Sequence, residues 1–205
     1  MNLGPNYVTV WVDENGGPTN VGGGPITISS LNGTQLAYVY CVGFFTDVFV
    51  PDDYPDTTIT SDGWVNNAFV NNDGEIAWLL DNYALGSLGN QIDEQALQAA
   101  IWTVEYNGQG VNTSLPVITG DVGQGYYTQY QTDLTALGWY TNPQALNTSA
   151  LNTIDWFSPG NSSGTVYQGL VGPDSPVPEP TSILLLVTVL LSVTWLKRKK
   201  LGVGR

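Results

Sequence analysis

The chemistry open to this chain is limited by the reactive side chains that it contains. Its 205 residues include no His and one Cys. A His-based catalytic triad, a His-ligated zinc site and a His general base are therefore excluded. The one cysteine, Cys41 in "YCVGFF", cannot form an internal disulfide or a Cys-x-x-Cys site. Carboxylates, amides, hydroxyls, seven Trp and eleven Tyr residues remain, together with the Cys41 thiol.

Charge divides the chain into two unequal parts. All 18 acidic residues precede residue 197, and the five basic residues lie within 197–205: Lys197, Arg198, Lys199, Lys200 and Arg205. Phosphate backbones bind through Lys and Arg, so we expect no nucleic-acid partner for residues 1–196. The absence of Lys before residue 197 also excludes Schiff-base chemistry and Lys–Asn isopeptide crosslinks within that part.

The segments that must position these side chains are short apolar runs separated by Gly-, Asn- and Pro-rich turns. Runs of this kind predict strands. They are "YVTVWV" (7–12), "ITIS" (26–29), "LAYVYCVGFF" (36–45), "TIDWF" (153–157) and "TVYQGLV" (165–171). Cys41 therefore lies on a predicted strand.

The middle of the chain has helical periodicity instead. Apolar residues recur every three or four positions in "EIAWLLDNYAL" (75–85), "IDEQALQAAIWTVEY" (92–106) and "YYTQYQTDLTALGW" (126–139). Acidic residues open the second of these segments, as suits a helix dipole. We predict an α+β domain over residues 1–172, with a β-rich, barrel- or sandwich-like body and a helical insert.

The C-terminal segment has three parts in a fixed order. Residues 173–180 form a Pro-rich linker that contains Pro178-Glu179-Pro180, and residues 181–196 are apolar and uncharged. Sixteen helical residues span about 24 Å, and snorkelling Lys and Arg can cover the deficit against a hydrocarbon core of about 30 Å. We predict a transmembrane helix at 181–196. The positive-inside rule places the basic end, 197–205, in the cytoplasm and the domain outside.

This tail resembles the PEP-CTERM sorting signal of Gram-negative bacteria, a segment also described as an ice-binding protein C-terminal domain. The resemblance rests on the Pro-Glu-Pro motif, the short apolar helix and the basic stop Lys197, Arg198, Lys199 and Lys200. It implies recognition by an exosortase at the inner membrane, removal of the tail, and delivery to the cell surface or extracellular matrix. Exported proteins begin with a basic, apolar signal peptide, and "MNLGPNYV" is not one. We therefore expect the true start to lie upstream or the sequence to be truncated.

The domain itself is similar to the thioester domains of bacterial surface adhesins. The likeness lies in "YCV" at the end of a strand, then "IAWLLDNY", then "LQAAIW", over roughly residues 36–106. In that family a cysteine is joined to the Gln of a Gln-x-Ala-Ile-Trp motif by an internal thioester. The resemblance implies that Cys41 supplies the sulfur and Gln98 the acyl carbon. It further implies covalent capture of an amine- or hydroxyl-bearing surface target, without a cofactor or a metal.

Three other interpretations stay open from the sequence. Cys41 could be a small buried hydrophobic residue, which is the usual role of a lone cysteine on an apolar strand. The protein could instead bind carbohydrate non-covalently, or build a matrix, through exposed aromatic residues such as Trp11, Trp64, Trp139 and Trp156. Paired carboxylates could hydrolyse glycosides, but the candidates lie in turn-rich stretches where Asp is common, and we expect no enzyme. Those candidates are Asp52, Asp53, Asp73 and Glu75.

Overall fold

The computed structural model describes residues 1–14, 17–107, 125–141 and 148–174. These residues belong to a unit that runs from Met1 to Ser175. The Pro-Glu-Pro motif, the predicted transmembrane helix and the basic end all lie outside the described residues. Within the described ranges, no helix has both the length and the apolar content needed to cross a membrane.

The strands are mostly short. In chain order they are β1 (Asn2–Leu3), β2 (Val8–Glu14), β3 (Gly17–Gly23), β4 (Ser30–Leu31), β5 (Thr34–Gln35), β6 (Tyr40–Cys41), β7 (Asp52–Asp53), β8 (Thr58–Thr60), β9 (Trp64–Val65), β10 (Ala68–Phe69), β11 (Ile154–Ser158) and β12 (Leu170–Pro173). Two four-stranded sheets have the orders β5-β4-β1-β7 and β6-β12-β11-β8, and β2-β3 and β10-β9 form two-stranded sheets. All of these pairings are antiparallel.

The helices lie between β10 and β11 in the chain. They are α1 (Asp73–Leu79), a π-helical turn (Leu80–Ala84), α2 (Leu85–Ser87), α3 (Gln91–Asn107) and α4 (Tyr127–Leu137), followed by a 3₁₀ helix (Thr148–Thr153). The three helical segments expected from periodicity are therefore present. α4 ends where Gly138 takes a left-handed conformation with φ 80°, a common helix stop.

α3 is the central helix of the core. Every residue from 96 to 105 on it is buried, so it is enclosed on all sides rather than along a single apolar face. Ala99 and Ala100 leave little side-chain volume, which lets other elements pack close to its backbone. Both α1 and α4 pack against α3, as does β2. A polar side chain on this part of α3 must find its partners inside the protein.

The prediction of an α+β domain is confirmed, but the barrel alternative for its body and the strand predicted at 26–29 are wrong. The described strands form separate small sheets, and none of these sheets closes into a barrel. The segment 26–29 is a turn rather than a strand, and Ile28 has a φ of 65°. The Ser29 hydroxyl stabilises that turn. It donates a hydrogen bond to the Ile26 carbonyl at 2.8 Å and accepts one from the Gly4 N–H at 3.3 Å.

Candidate functional site

Cys41 lies at the edge of a sheet. It is the last residue of β6 and stands opposite Leu170 of β12. β6 is the outermost strand in the order β6-β12-β11-β8, so its outer backbone groups need partners other than a strand of that sheet. The residue is 2% exposed, and it forms no disulfide.

Gln98 supplies those partners from the middle of α3. Its side-chain Oε1 accepts the Cys41 N–H at 3.0 Å, and its Nε2 donates to the Cys41 carbonyl at 2.9 Å. The side-chain amide thus pairs with the backbone of Cys41 as a residue of a neighbouring strand would. Gln98 is 0% exposed, so these bonds are made in a dry environment. Residues separated by 57 positions in the chain are thereby brought into contact.

Gly24 completes the hydrogen bonding of this amide. Its N–H donates to Gln98 Oε1 at 2.7 Å, which gives that oxygen two backbone donors. The same N–H lies within hydrogen-bonding reach of the Cys41 thiol, where it lowers the pKa. The Gly24 N–H therefore lies next to both the Gln98 amide and the Cys41 thiol.

Burial governs the protonation of Cys41. It raises the pKa of the thiol to about 12, against the lowering effect of the Gly24 N–H, and the nearby Glu105 raises it further. The side chain is therefore a neutral thiol near pH 7 rather than a thiolate. Any attack by this sulfur must move the thiol proton as the new bond forms.

The geometry around Gln98 Oε1 suits attack on the Gln98 side-chain carbon. If the Cys41 sulfur bonds to Cδ, negative charge develops on Oε1, where the N–H groups of Gly24 and Cys41 already point. Such preorganised donors are the usual way of stabilising a tetrahedral intermediate. Loss of Nε2 as ammonia, which takes up the thiol proton, balances the reaction and leaves a thioester. Proximity is essential, because an amide is a poor electrophile.

The loop after Cys41 is held along the same face of α3. Gly43 donates its N–H to both carboxyl oxygens of Glu105, at 2.9 and 3.2 Å. Phe44 packs edge-to-face on Trp102 with ring centroids 5.2 Å apart. Gln98, Trp102 and Glu105 are spaced i, i+4 and i+7, so they share one side of the helix. This spacing gives a physical reason for a Gln and a Trp four residues apart: one contacts Cys41 and the other anchors the loop.

Glu105 is a further residue of this site and is not among those singled out from the sequence. Burial raises the pKa of its carboxyl to about 7, and hydrogen bonds from Gly43 and Tyr106 partly offset that effect. The signal that could have found it is an acidic residue two helical turns after Gln98, within an otherwise apolar stretch. It holds the loop that follows Cys41, so its protonation state is coupled to the site.

A cavity of about 320 Å³ lies next to Cys41. Its lining includes Cys41, Gly22 and Gly23 of β3, Asp47, Phe49 and Gln168, together with Tyr7, Ile26, Val48 and Val50. A Cβ on Gly23 would lie 2.5 Å from Gln98 Cγ and 3.0 Å from Cδ. The glycine therefore lets the wall of the cavity approach the Gln98 amide closely.

The other residues singled out from the sequence do not assemble with Cys41 and Gln98. Asp52 and Asp53 are exposed on β7, whereas Asp73 and Glu75 are buried in the first turn of α1 rather than in an exposed turn. Among the aromatic candidates for carbohydrate binding, Trp139 and Trp156 are buried and Trp11 is half-buried, which leaves Trp64 exposed. In the described ranges, no group of three His, Cys, Asp or Glu residues could hold a metal ion.

Comparisons with known proteins identify no relative of this chain. No family model, no curated protein and no solved structure matches the chain.

Proposed function

We propose that this protein is an exported surface or matrix protein that captures its partner covalently through an internal Cys41–Gln98 thioester. The observation that carries the proposal is the environment of Gln98 Oε1, which accepts the N–H groups of Gly24 and Cys41 in a fully buried site. Those donors stabilise the charge that develops both when the thioester forms and when a nucleophile opens it.

The stored thioester is a protected electrophile. Burial of Gln98 and Cys41 keeps bulk water from the acyl carbon. An amine or hydroxyl that reaches this carbon forms an amide or an ester and releases the Cys41 thiol. Each molecule reacts once, so we propose an adhesin-like binding protein rather than an enzyme. The lack of Lys before residue 197 removes side-chain amines that would consume the thioester from within.

Localisation follows from the proposed sorting signal. An exosortase would recognise Pro178-Glu179-Pro180, and the helix at 181–196 with its basic end would hold the precursor in the inner membrane until cleavage. In cells that contain an exosortase, mature protein should lack the sequence after about residue 180. Mature protein that retains "KRKK" would contradict this part of the proposal alone.

Capture of a small amine tests the proposed activity. Full-length protein incubated with methylamine should gain one methylamine at Gln98 and expose one thiol at Cys41, as read by peptide mass mapping and thiol titration. Cys41→Ala and Gln98→Ala should each take up none. Reversible binding to a surface target, equal in wild type and Cys41→Ala, would instead favour a non-covalent binding protein.

Two exposed aromatic residues favour the alternative of a non-covalent binding protein. Trp64 and Phe69 are both exposed on the β9–β10 hairpin, with ring centroids 6.1 Å apart. Exposed aromatic rings of this kind stack on sugars in carbohydrate-binding proteins. Under this alternative Cys41 is an inert buried residue. Loss of polysaccharide binding in Trp64→Ala, with no effect of Cys41→Ala, would support it.

A further inference from the structure

We propose that a second pocket of this domain binds the guanidinium group of an arginine side chain on a partner protein. The pocket lies between the loop after Cys41, the β9–β10 hairpin and the end of α3, and we call it the Glu105 pocket after the carboxyl that lines it. Neither Cys41 nor Gln98 lines it, so the inference does not depend on the proposed thioester. It adds a non-covalent contact with a partner to the proposed covalent one.

The Glu105 pocket has the size and lining of a site for one side chain. Its volume of about 310 Å³ is about ten times the ~30 Å³ that one water occupies in the liquid, so a guanidinium and its alkyl stem fit. Apolar side chains form much of the wall, and the polar ones are few: Thr46, Asn66, Asn71, Glu105 and Tyr106. Binding sites commonly combine an apolar wall with a few polar groups that fix the ligand.

Glu105 is a buried carboxyl without a cationic side chain to pair with. It is 5% exposed, and it accepts hydrogen bonds from the Gly43 N–H and the Tyr106 hydroxyl. Residues 1–196 contain no Lys, Arg or His, so no side chain of the folded unit supplies a positive charge. Buried carboxylates are rarely left without a counter-charge. Burial raises the pKa of this group to about 7, and a bound cation would lower it.

Exposed aromatic rings line the same pocket. Phe45 and Phe69 are both exposed, and Phe45 packs edge-to-face on Tyr106 with ring centroids 5.5 Å apart. Aromatic faces attract cations, and the planar guanidinium also stacks on them. Phenylalanine rings beside a carboxyl therefore suit an organic cation better than an anion or a neutral polar group.

The polar groups of the pocket favour a guanidinium over an ammonium. A guanidinium presents about five N–H donors in one plane, whereas an ammonium is a compact point charge. Asn66 donates its Nδ2 to the Tyr167 carbonyl at 2.6 Å, and its Oδ1 has no partner among the described residues. The Asn71 side-chain amide likewise makes no hydrogen bond to a described residue. Two amide oxygens and a carboxyl thus offer acceptors for several guanidinium donors at once.

Binding of a blocked arginine peptide to the full-length chain tests the inference. Acetyl-Gly-Arg-Gly-amide has no free amine, so a thioester cannot capture it covalently. Its citrulline analogue has nearly the same shape and no charge. Ligand-observed NMR should show that the arginine peptide binds about tenfold more tightly than the citrulline analogue. Equal affinities for the two peptides would overturn the inference.

Two variants of one loop locate the binding site. Phe45 and Phe49 are 58% and 60% exposed, and of the two only Phe45 lines the Glu105 pocket. Phe45→Ala should weaken binding of the arginine peptide about fivefold, whereas Phe49→Ala should leave it unchanged. Because both rings are exposed, neither change should unfold the domain. Equal affinities in the two variants would place the arginine elsewhere and overturn the inference.

Glu105 should make the binding depend on pH. The cation pairs with the carboxylate, and protonation of this group competes with that pairing below its pKa of about 7. Affinity should therefore fall about tenfold between about pH 8 and about pH 6. Tyr106 and Cys41, which interact electrostatically with Glu105, do not titrate in this range, because burial raises their pKa values well above it. Glu105→Gln should bind weakly at both pH values, and wild-type affinity in this variant would overturn the inference.

Cys41→Ala separates this inference from the thioester. It should bind the arginine peptide as wild type does, because Cys41 does not line the Glu105 pocket. The same variant allows the lysine analogue of the peptide to be compared without covalent capture, and that analogue should bind about threefold more weakly. A lysine analogue that binds as tightly as the arginine peptide would overturn the choice of a guanidinium.

Discussion

Two polar side chains are buried on neighbouring helices, and their surroundings are very different. Gln98 on α3 is 0% exposed, and its amide makes three hydrogen bonds to backbone groups. Glu75 on α1 is 2% exposed, and neither carboxyl oxygen makes a hydrogen bond within the described residues. Burial raises the pKa of the Glu75 carboxyl, and the nearby Asp73 raises it further.

The difference in hydrogen bonding indicates which of the two buried groups has a preorganised environment. The partners of Gln98 come from two separate segments, the end of β6 and the residue after β3, and both donors converge on one oxygen. Glu75 has no comparable set of partners among the described residues. Its burial therefore destabilises the fold and does not position the carboxyl for a reaction. Substitutions at and around these two residues test this difference, and Gln98 should give the largest effect.

Gln98→Ala should be the most damaging change. It removes the partners of the Gly24 and Cys41 N–H groups, leaves a cavity in the core and prevents the proposed crosslink. We expect a loss of about 4 kcal/mol in the free energy of unfolding, measured by urea denaturation. Gln95→Ala is the matched control on the same helix, because Gln95 is half-buried and makes one hydrogen bond, to the Thr9 carbonyl. It should cost about 1 kcal/mol, and equal losses would contradict the special status of Gln98.

Glu105 should make stability depend on pH. Its folded pKa of about 7 exceeds the ordinary value of 4.5, so the folded state holds the proton more tightly than the unfolded chain. The free energy of unfolding should therefore fall as pH rises from about 4.5 to about 7, by on the order of 3 kcal/mol. Glu105→Gln should reduce this dependence to the part contributed by Asp133, whose pKa burial raises to about 6, whereas Glu94→Gln should retain it in full. A variant with an unchanged pH profile would show that Glu105 is not the group that titrates.

Gly23→Ala tests the close approach to Gln98. The added Cβ would lie 2.5 Å from Gln98 Cγ, so the amide must shift. We expect a loss of about 2 kcal/mol and slower methylamine capture. Gly22→Ala, one residue earlier on β3, meets the Tyr7 ring at 3.3 Å and should be close to wild type. Equal rates of methylamine capture in the two variants would contradict the claim that Gly23 positions the Gln98 amide.

Glu75→Gln should have the smallest effect and the opposite sign. The amide cannot ionise, so the cost of burying a carboxylate without partners is removed. We expect the free energy of unfolding at neutral pH to rise by about 1 kcal/mol, with amine capture unchanged. A destabilised variant would mean that the Glu75 carboxylate has a partner that supports the fold.

The helices could be predicted from the sequence because their periodicity is local. The segment 92–106 corresponds to α3 at Gln91–Asn107, and the segment 126–139 contains α4. The strands could be predicted less well, because runs such as 36–45 are extended only over Tyr40–Cys41. Side-chain hydrogen bonds to the backbone, as at Ser29, replace ladder pairing in such places.

The site shows the same division between local and long-range information. A lone cysteine and a Gln at the head of "QAAIW" are visible in the sequence, and the resemblance to thioester domains pairs them. The Gly24 N–H could not be predicted, because a backbone donor has no residue type and its role depends on the end of β3 reaching α3.

The intact mass of the full-length chain, under non-reducing and amine-free conditions, shows whether Cys41 and Gln98 are joined. The proposed thioester predicts a mass lower than that of the sequence by one ammonia. Cys41→Ala and Gln98→Ala should each show the full mass calculated for their own sequences. A wild-type mass equal to that of the unmodified sequence, with a thiol at Cys41 that titrates on unfolding without prior amine treatment, would contradict the account.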